Sequence, residues 1–161
     1  MSDRKPTNPK EAWGSEKAPI STVSMPVLLE LGVAMLEGAL KYGRHNYRKA
    51  GVKASTYHEA AGRHMASFWE GEDIDPASGI SHVTKAIASL MVLRDSMIFG
   101  NWVDDRPPKM HVGWMEDLNA KAKALCAKYP NAVPAVTALN FDTYGSPLED
   151  AVRGLAEDPE K

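Results

Sequence analysis

Residues 24–43 read SMPVLLELGVAMLEGALKYG, and their spacing decides the fold. Leu28, Leu31, Met35, Ala39 and Tyr42 recur at steps of three and four, which places them along one face of an α-helix. Pro26 suits the first turn, where a missing N–H costs nothing. Ser24 stands at the cap position and Gly43 at the stop. The same period returns from Ser55 or Thr56, as cap, to about Trp69, with Ala61, Met65 and Phe68 expected to face the core. It returns again from about Ser81 to Phe99, where Val83, Ile87, Leu90 and Met91 make the most apolar helix. A fourth helix is expected from about Trp114 to Tyr129, and a short one from Pro147 to Ala156. Between these, residues 44–55 read as a polar loop and Gly71 to Gly79 as an acid-rich break containing Pro76. No stretch alternates as a strand does, and no internal repeat occurs. The expected fold class is all-α, a helical bundle completed by oligomerisation. Residues 1–24 form an extended arm, 25–108 the helical core, and 109–161 a helical extension and tail.

Composition narrows the class further. A chain of 161 residues, 43% hydrophobic and 25% charged, suits one globular domain with extensions. A helical domain of this size often completes its burial against a second copy, so a homo-oligomer, dimer or tetramer, is expected. A net charge of −2 argues against a dedicated nucleic-acid binder. The single cysteine, Cys126, rules out an internal disulfide, suits a reducing compartment, and reads as structural within a Lys/Ala-rich helix. No apolar run approaches the ~20 residues of a membrane span, and the polar start is unlike a signal peptide. A soluble, cytoplasmic protein is expected.

The charges are unevenly placed. Glu30, Glu37 and Lys41 share one stripe of the first helix, either as a solvated edge with a Glu37–Lys41 pair or as part of a site. Residues 41–53 then carry Lys41, Arg44, Arg48, Lys49 and Lys53 with no acid among them. Residues 70–75 carry Glu70, Glu72, Asp73 and Asp75. A basic and an acidic loop at the ends of neighbouring helices are what a phosphate-and-metal site requires. Hard cations take carboxylate and phosphate oxygens, and Arg and Lys neutralise the remaining phosphate charge. The alternative for the acidic stretch is a solvated turn or a lone Ca²⁺ loop. An EF-hand is disfavoured because Ala77 sits where an oxygen ligand is needed and no Glu closes the loop.

Other chemistries fail on absence. His58-Glu59 begins a zinc-type H-E-x-x-H pattern, but Gly62 stands in place of its second His. No P-loop and no G-x-S-x-G elbow occurs, and none of the five histidines precedes an Asp.

Several segments together resemble the phage dATP/dGTP diphosphohydrolase (pyrophosphohydrolase) family, related to the MazG-like all-α enzymes. They are residues 8–14 (NPKEAWG), 37–48 (EGALKYGRHNYR), 59–64 (EAAGRH), 71–82 (GEDIDPASGISH) and 104–108 (DDRPP). Their order and spacing cover about two-thirds of the chain. The resemblance implies a helical, usually oligomeric protein. It also implies Mg²⁺- or Mn²⁺-dependent release of pyrophosphate from dGTP or dATP, in some phages supplying dGMP for 2-aminoadenine nucleotides. It implies Glu37, Glu59, Glu72 and Asp75 as the metal-holding, catalytic carboxylates, with Glu72 and Asp75 in the E-x-x-D spacing of MazG-like metal sites. Lys41, Arg44 and Arg63 become the phosphate ligands, while Asn46, His64, Ser78 and His82 orient substrate or support the carboxylates. Tyr42, Tyr47 and Trp69 are candidates either to stack on a purine or simply to pack. Two positions depart from the family pattern. Ala77 stands where a Glu is common, and Lys85 where a second His often follows the first. Both departures favour a rival, a nucleotide-binding or interaction module without catalysis. A weaker rival is a DNA-binding protein using the basic loop. No nucleic-acid or membrane partner is expected.

Overall fold

The computed structural model describes Lys10 and residues 17–141. The expected helix at Pro147–Ala156, most of the expected arm and all of the resemblance segment 8–14 but Lys10 lie outside the described residues. The helices are α1 (Met25–Tyr42), α2 (Asn46–Ala50), α3 (Ala54–Trp69), α4 (His82–Phe99) and α5 (Trp114–Lys128). Four two-residue strands lie among them: β1 (Val52–Lys53), β2 (Ile74–Asp75), β3 (Ile80–Ser81) and β4 (Trp102–Val103). The fold is mainly α, and the chain divides into two compact units, Met1–Pro108 and Lys109–Lys161.

In the first unit α4 is the hub, packed most extensively on α3 and next on α1. Its inward face is made mostly of small residues, three of the five polar or titratable: His82, Thr84, Ala86, Val92 and Ser96 are buried. Small side chains let helix backbones approach closely, so this stripe faces inward. The expected core residues Ile87, Leu90 and Met91 are exposed, as are Met65 and Phe68 on α3 and Tyr42 on α1. Periodicity located the four longer helices to within a few residues and passed over α2, but α1 and α4 are apolar on more than one face. Period alone does not say which stripe turns inward. Leu31 and Ala34 are the buried residues of α1, and Ala54 and Ala61 those of α3.

Residues 44–55 are more ordered than a polar loop. Tyr47 of α2 and Val52 of β1 join Val92 in the core, with Met35, Tyr57, Leu93 and Trp102 packed around them. β1 pairs in parallel with β4, Val52 opposite Trp102. The side-chain amide of Asn101 donates to the carbonyls of Tyr47 (2.9 Å) and Arg48 (2.8 Å). Gly51 lies beneath this strap with φ +76°, and a Cβ there would fall 2.7 Å from the Asn101 carbonyl oxygen. Only glycine meets both demands. Arg48 closes the region by donating from Nε and Nη2 to Asp95 of α4 at 2.7 and 2.8 Å.

The start of α3 also differs from expectation. Neither Ser55 nor Thr56 caps it, because the helix begins at Ala54 and Ser55 lies inside its first turn. Ser55 donates its backbone N–H (2.8 Å) and hydroxyl (2.5 Å) to the carboxylate of Asp105. A carboxylate facing orphan N–H groups does what a local cap does, though it comes from fifty residues downstream. The acid-rich break holds an antiparallel hairpin, Ile74 opposite Ser81 and Asp75 opposite Ile80. Strands of two residues are too short to show alternation, so periodicity passes over them.

The second unit is built on α5. Gly113 precedes it with φ +90°, Glu116 and Asp117 lie in its first turn and Lys128 in its last, charges that complement the helix dipole. It buries no residue, and Cys126, expected to be structural, is exposed. No helix among the described residues is long and apolar enough to cross a membrane.

Candidate active site

α1, the turn after it, α3 and α4 enclose a cleft of about 790 Å³. Gly43, with φ +94°, ends α1, and His45 follows in the left-handed region at φ +57°. After these turns Arg44, His45, Asn46 and Tyr47 line the cleft. Glu37, Lys41, Arg44, Asn46, Tyr57, His64 and Lys85 contribute to the walls.

Lys85 is the centre of the polar network. It rises from the first turn of α4 and donates to Asp75 on the hairpin, to Ser78 Oγ (3.0 Å), and pairs with Glu37 Oε2 (3.3 Å). Glu37 in turn accepts from Lys41 at 2.5 Å. Asp75 is further held by its own turn, where the Ala77 N–H donates at 3.0 Å and the Ser78 hydroxyl at 2.7 Å. At position 77 it is therefore the backbone that serves the site. The hydrogen bond from Lys85, then those from Ser78 and Ala77, hold the Asp75 carboxyl far below its ordinary range. The Lys41 hydrogen bond lowers Glu37 against the opposing effect of burial, with Lys85 adding to it. Burial alone would weaken the Lys85 ammonium, but Asp75 and Glu37 outweigh it and its pKa is raised.

A second chain of contacts runs beside the first. His64 Nδ1 lies 2.8 Å from His82 Nδ1, and His82 Nε2 lies 3.0 Å from Glu72 Oε2. A carboxylate only accepts, so His82 Nε2 carries a proton. In the neutral pair His64 Nδ1 then donates to His82 Nδ1, which leaves His64 Nε2 as an acceptor. Burial first, then Lys85 and His82, lower the pKa of His64 and favour that neutral form. Thr84, one position before Lys85, donates to Glu30 Oε2 at 2.8 Å and fixes α1 against α4.

The predicted residues are thus partly assembled. Glu37, Lys41, Arg44, Asn46 and His64 line the cleft. Asp75 and Ser78 join its wall through Lys85, and Glu72 and His82 through His64. Glu59 and Arg63 pair with each other at 3.8 Å on an exposed face, and neither lines the cleft. Of the aromatic candidates Tyr47 packs in the core, Tyr42 lies exposed at the cleft edge, and Trp69 is exposed away from it. Sequence reasoning passed over Tyr57, and noted Lys85 only as a departure from the family pattern, not as a site residue. The signal for Lys85 was available, since it is the only charged residue from His82 to Leu93 in the most apolar helix.

Among the described residues no three His, Cys, Asp or Glu side chains are arranged to hold a metal ion. The donor chemistry nevertheless fits a hard divalent cation. Carboxylate oxygens of Glu37 and Asp75, with the Ser78 hydroxyl, already surround one positive charge, and that charge is Lys85. A family model described as dATP/dGTP diphosphohydrolase, N-terminal, matches residues 7–106. No curated protein and no solved structure matches the chain.

Proposed function

The chain belongs to the dATP/dGTP diphosphohydrolase family, and we propose that its cleft hydrolyses a purine deoxynucleoside triphosphate, dGTP or dATP, to the monophosphate and pyrophosphate. The observation that carries this reading is the meeting, in one cleft, of the cations Lys41 and Arg44 with the Glu37 carboxylate, which Lys85 joins to Asp75. A triphosphate needs cations along its chain, and Glu37 and Asp75 offer oxygen ligands for Mg²⁺ or Mn²⁺. Glu37 and Asp75 would hold the ion, while Glu72 acts through His82 and His64. When bound, the ion polarises the α-phosphate and acidifies a water molecule.

The protein's own groups do the rest. Lys41 and Arg44 bind β- and γ-phosphate oxygens. Water oxygen attacks the α-phosphorus as the bond to the bridging oxygen breaks, and pyrophosphate leaves with that oxygen. His64 Nε2, kept unprotonated by the relay to His82 and Glu72, accepts a proton or hydrogen bond at the cleft wall. Tyr57, which lines the cleft, is the residue we assign to stack on the purine. On this reading the protein works in the cytoplasm, in nucleotide metabolism of the phage type, where dGMP released from dGTP would feed synthesis of 2-aminoadenine nucleotides. It works as a homo-oligomer. Exposed Leu29, Val33, Leu36 and Leu40 on α1, and Leu90 and Ile98 on α4, support a second copy.

Lys85, held between Glu37 and Asp75, favours one rival, a nucleotide binder without catalysis. Incubation with each dNTP and Mg²⁺, followed by chromatography, separates the two. Deoxynucleoside monophosphate plus pyrophosphate is the expected result. Deoxynucleoside plus triphosphate indicates a different hydrolase, and unchanged dNTP indicates the binder.

A further inference from the structure

We propose that Lys85 is a resident counter-ion, competing with a divalent metal ion for the oxygens of Glu37 and Asp75. Metal affinity would then be set by how readily the lysine leaves. The inference rests on the metal-dependent reading above. It goes beyond that reading by assigning Lys85 a role no motif assigns it.

Three observations carry it. The Lys85 ammonium bonds Asp75 and Ser78 and pairs with Glu37 at 3.3 Å, so it bridges carboxylates from two separate elements, α1 and the hairpin. All three side chains are shielded, with Lys85 16%, Glu37 24% and Asp75 13% exposed. In such surroundings two neighbouring carboxylates need a compensating charge, and a metal ion and an ammonium cannot both fill that place. Finally, a lysine is suited to exchange where an arginine is not. Its ammonium is a compact point charge on a flexible four-carbon stem, without a planar fork to lock both oxygens of one partner. Lys85 borders the cleft, so a displaced ammonium would have a substrate phosphate oxygen within its reach as a new partner. The lysine thus keeps the apo site in register and then changes partner.

The test uses the full chain and Mn²⁺ alone, without nucleotide. Lys85→Met should bind Mn²⁺ about tenfold or more tightly than the wild type, by electron paramagnetic resonance titration. Without metal it should melt at a lower temperature than the wild type, and added Mn²⁺ should raise its Tm more. A wild type that binds no Mn²⁺ beside a Lys85→Met that does would support the competition while removing the metal-dependent reading of the native enzyme. Equal affinity in the two proteins, or loss of binding in the variant, overturns the competition and leaves that reading standing. Absence of binding in both overturns the two together. Should Lys85→Met fail to fold, amine acylation of the wild type read by mass spectrometry decides. Labelling of Lys85 should rise at saturating Mn²⁺, and unchanged protection overturns the proposal.

Discussion

α4 is tied to its neighbours by ion pairs near both ends, and the two ties are built differently. Near its C-terminal end Arg48 grips Asp95 with two parallel hydrogen bonds, one oxygen to each nitrogen. Near its N-terminal end Lys85 spreads a single charge over Glu37, Asp75 and Ser78. The forked pair engages both carboxylate oxygens from one planar side chain in a fixed geometry, and neither partner lines the cleft. The lysine tie leaves carboxylate lone pairs unused and borders the cleft. Ion pairs on one helix can therefore divide between holding the fold and serving the site, and donor geometry distinguishes them better than charge.

The comparison can be broken most decisively by Glu37→Gln. It should lower pyrophosphate release by about a hundredfold or more while the far-ultraviolet circular dichroism stays helical. Turnover near the wild-type level would remove Glu37 from the chemistry and erase the distinction between the ends. At the other end the largest effect should come from Gly51→Ala. The left-handed φ and the approach to the Asn101 carbonyl should cost about 2–3 kcal/mol in a urea melt, because backbone must move. A loss of only a few tenths would show that the strap yields easily.

The smallest effect concerns acid. Arg48 holds the Asp95 carboxyl below its usual 3.8. A lowered folded-state pKa means the unfolded chain binds the proton first as pH falls. The pair's contribution is therefore complete above about pH 4 and is lost as pH drops through the lowered value. Asp95→Asn should flatten the acid limb of the stability-against-pH curve below pH 4, leaving turnover at neutral pH unchanged. An acid limb as steep as that of the wild type would mean the forked tie does not stabilise the fold.

Much of the helical layout was legible, because Pro26, Gly43 and the three-four spacing are local signals. The inward stripe was not, since Ile87, Leu90 and Met91 are as apolar as a core requires yet lie outside, while Thr84 and Ser96 are buried. Close packing of backbones, a tertiary fact, made that choice. Within the site, Glu37, Lys41, Arg44 and Asn46 could be read together because one helix end and its turn carry them. Glu59 and Arg63 share the same four-residue spacing as Glu37 and Lys41, yet they turn to solvent. Spacing on one helix says nothing about what lies opposite. Lys85 looked like an interruption in a pattern, and only the hairpin's fold places Asp75 against it.

The cap supplied by Asp105 also constrains how the protein is made. The first turn of α3 gains its partner, and β1 its parallel neighbour, only from residues 102–105. On the ribosome, the segment from Val52 to Ser55 must wait about fifty residues of synthesis before either contact exists. Closure of this unit is therefore a late, long-range event, and contacts so distant in sequence slow folding. A nascent chain halted at Gly100 would carry every helix of the cleft and still lack the clasp that fastens them.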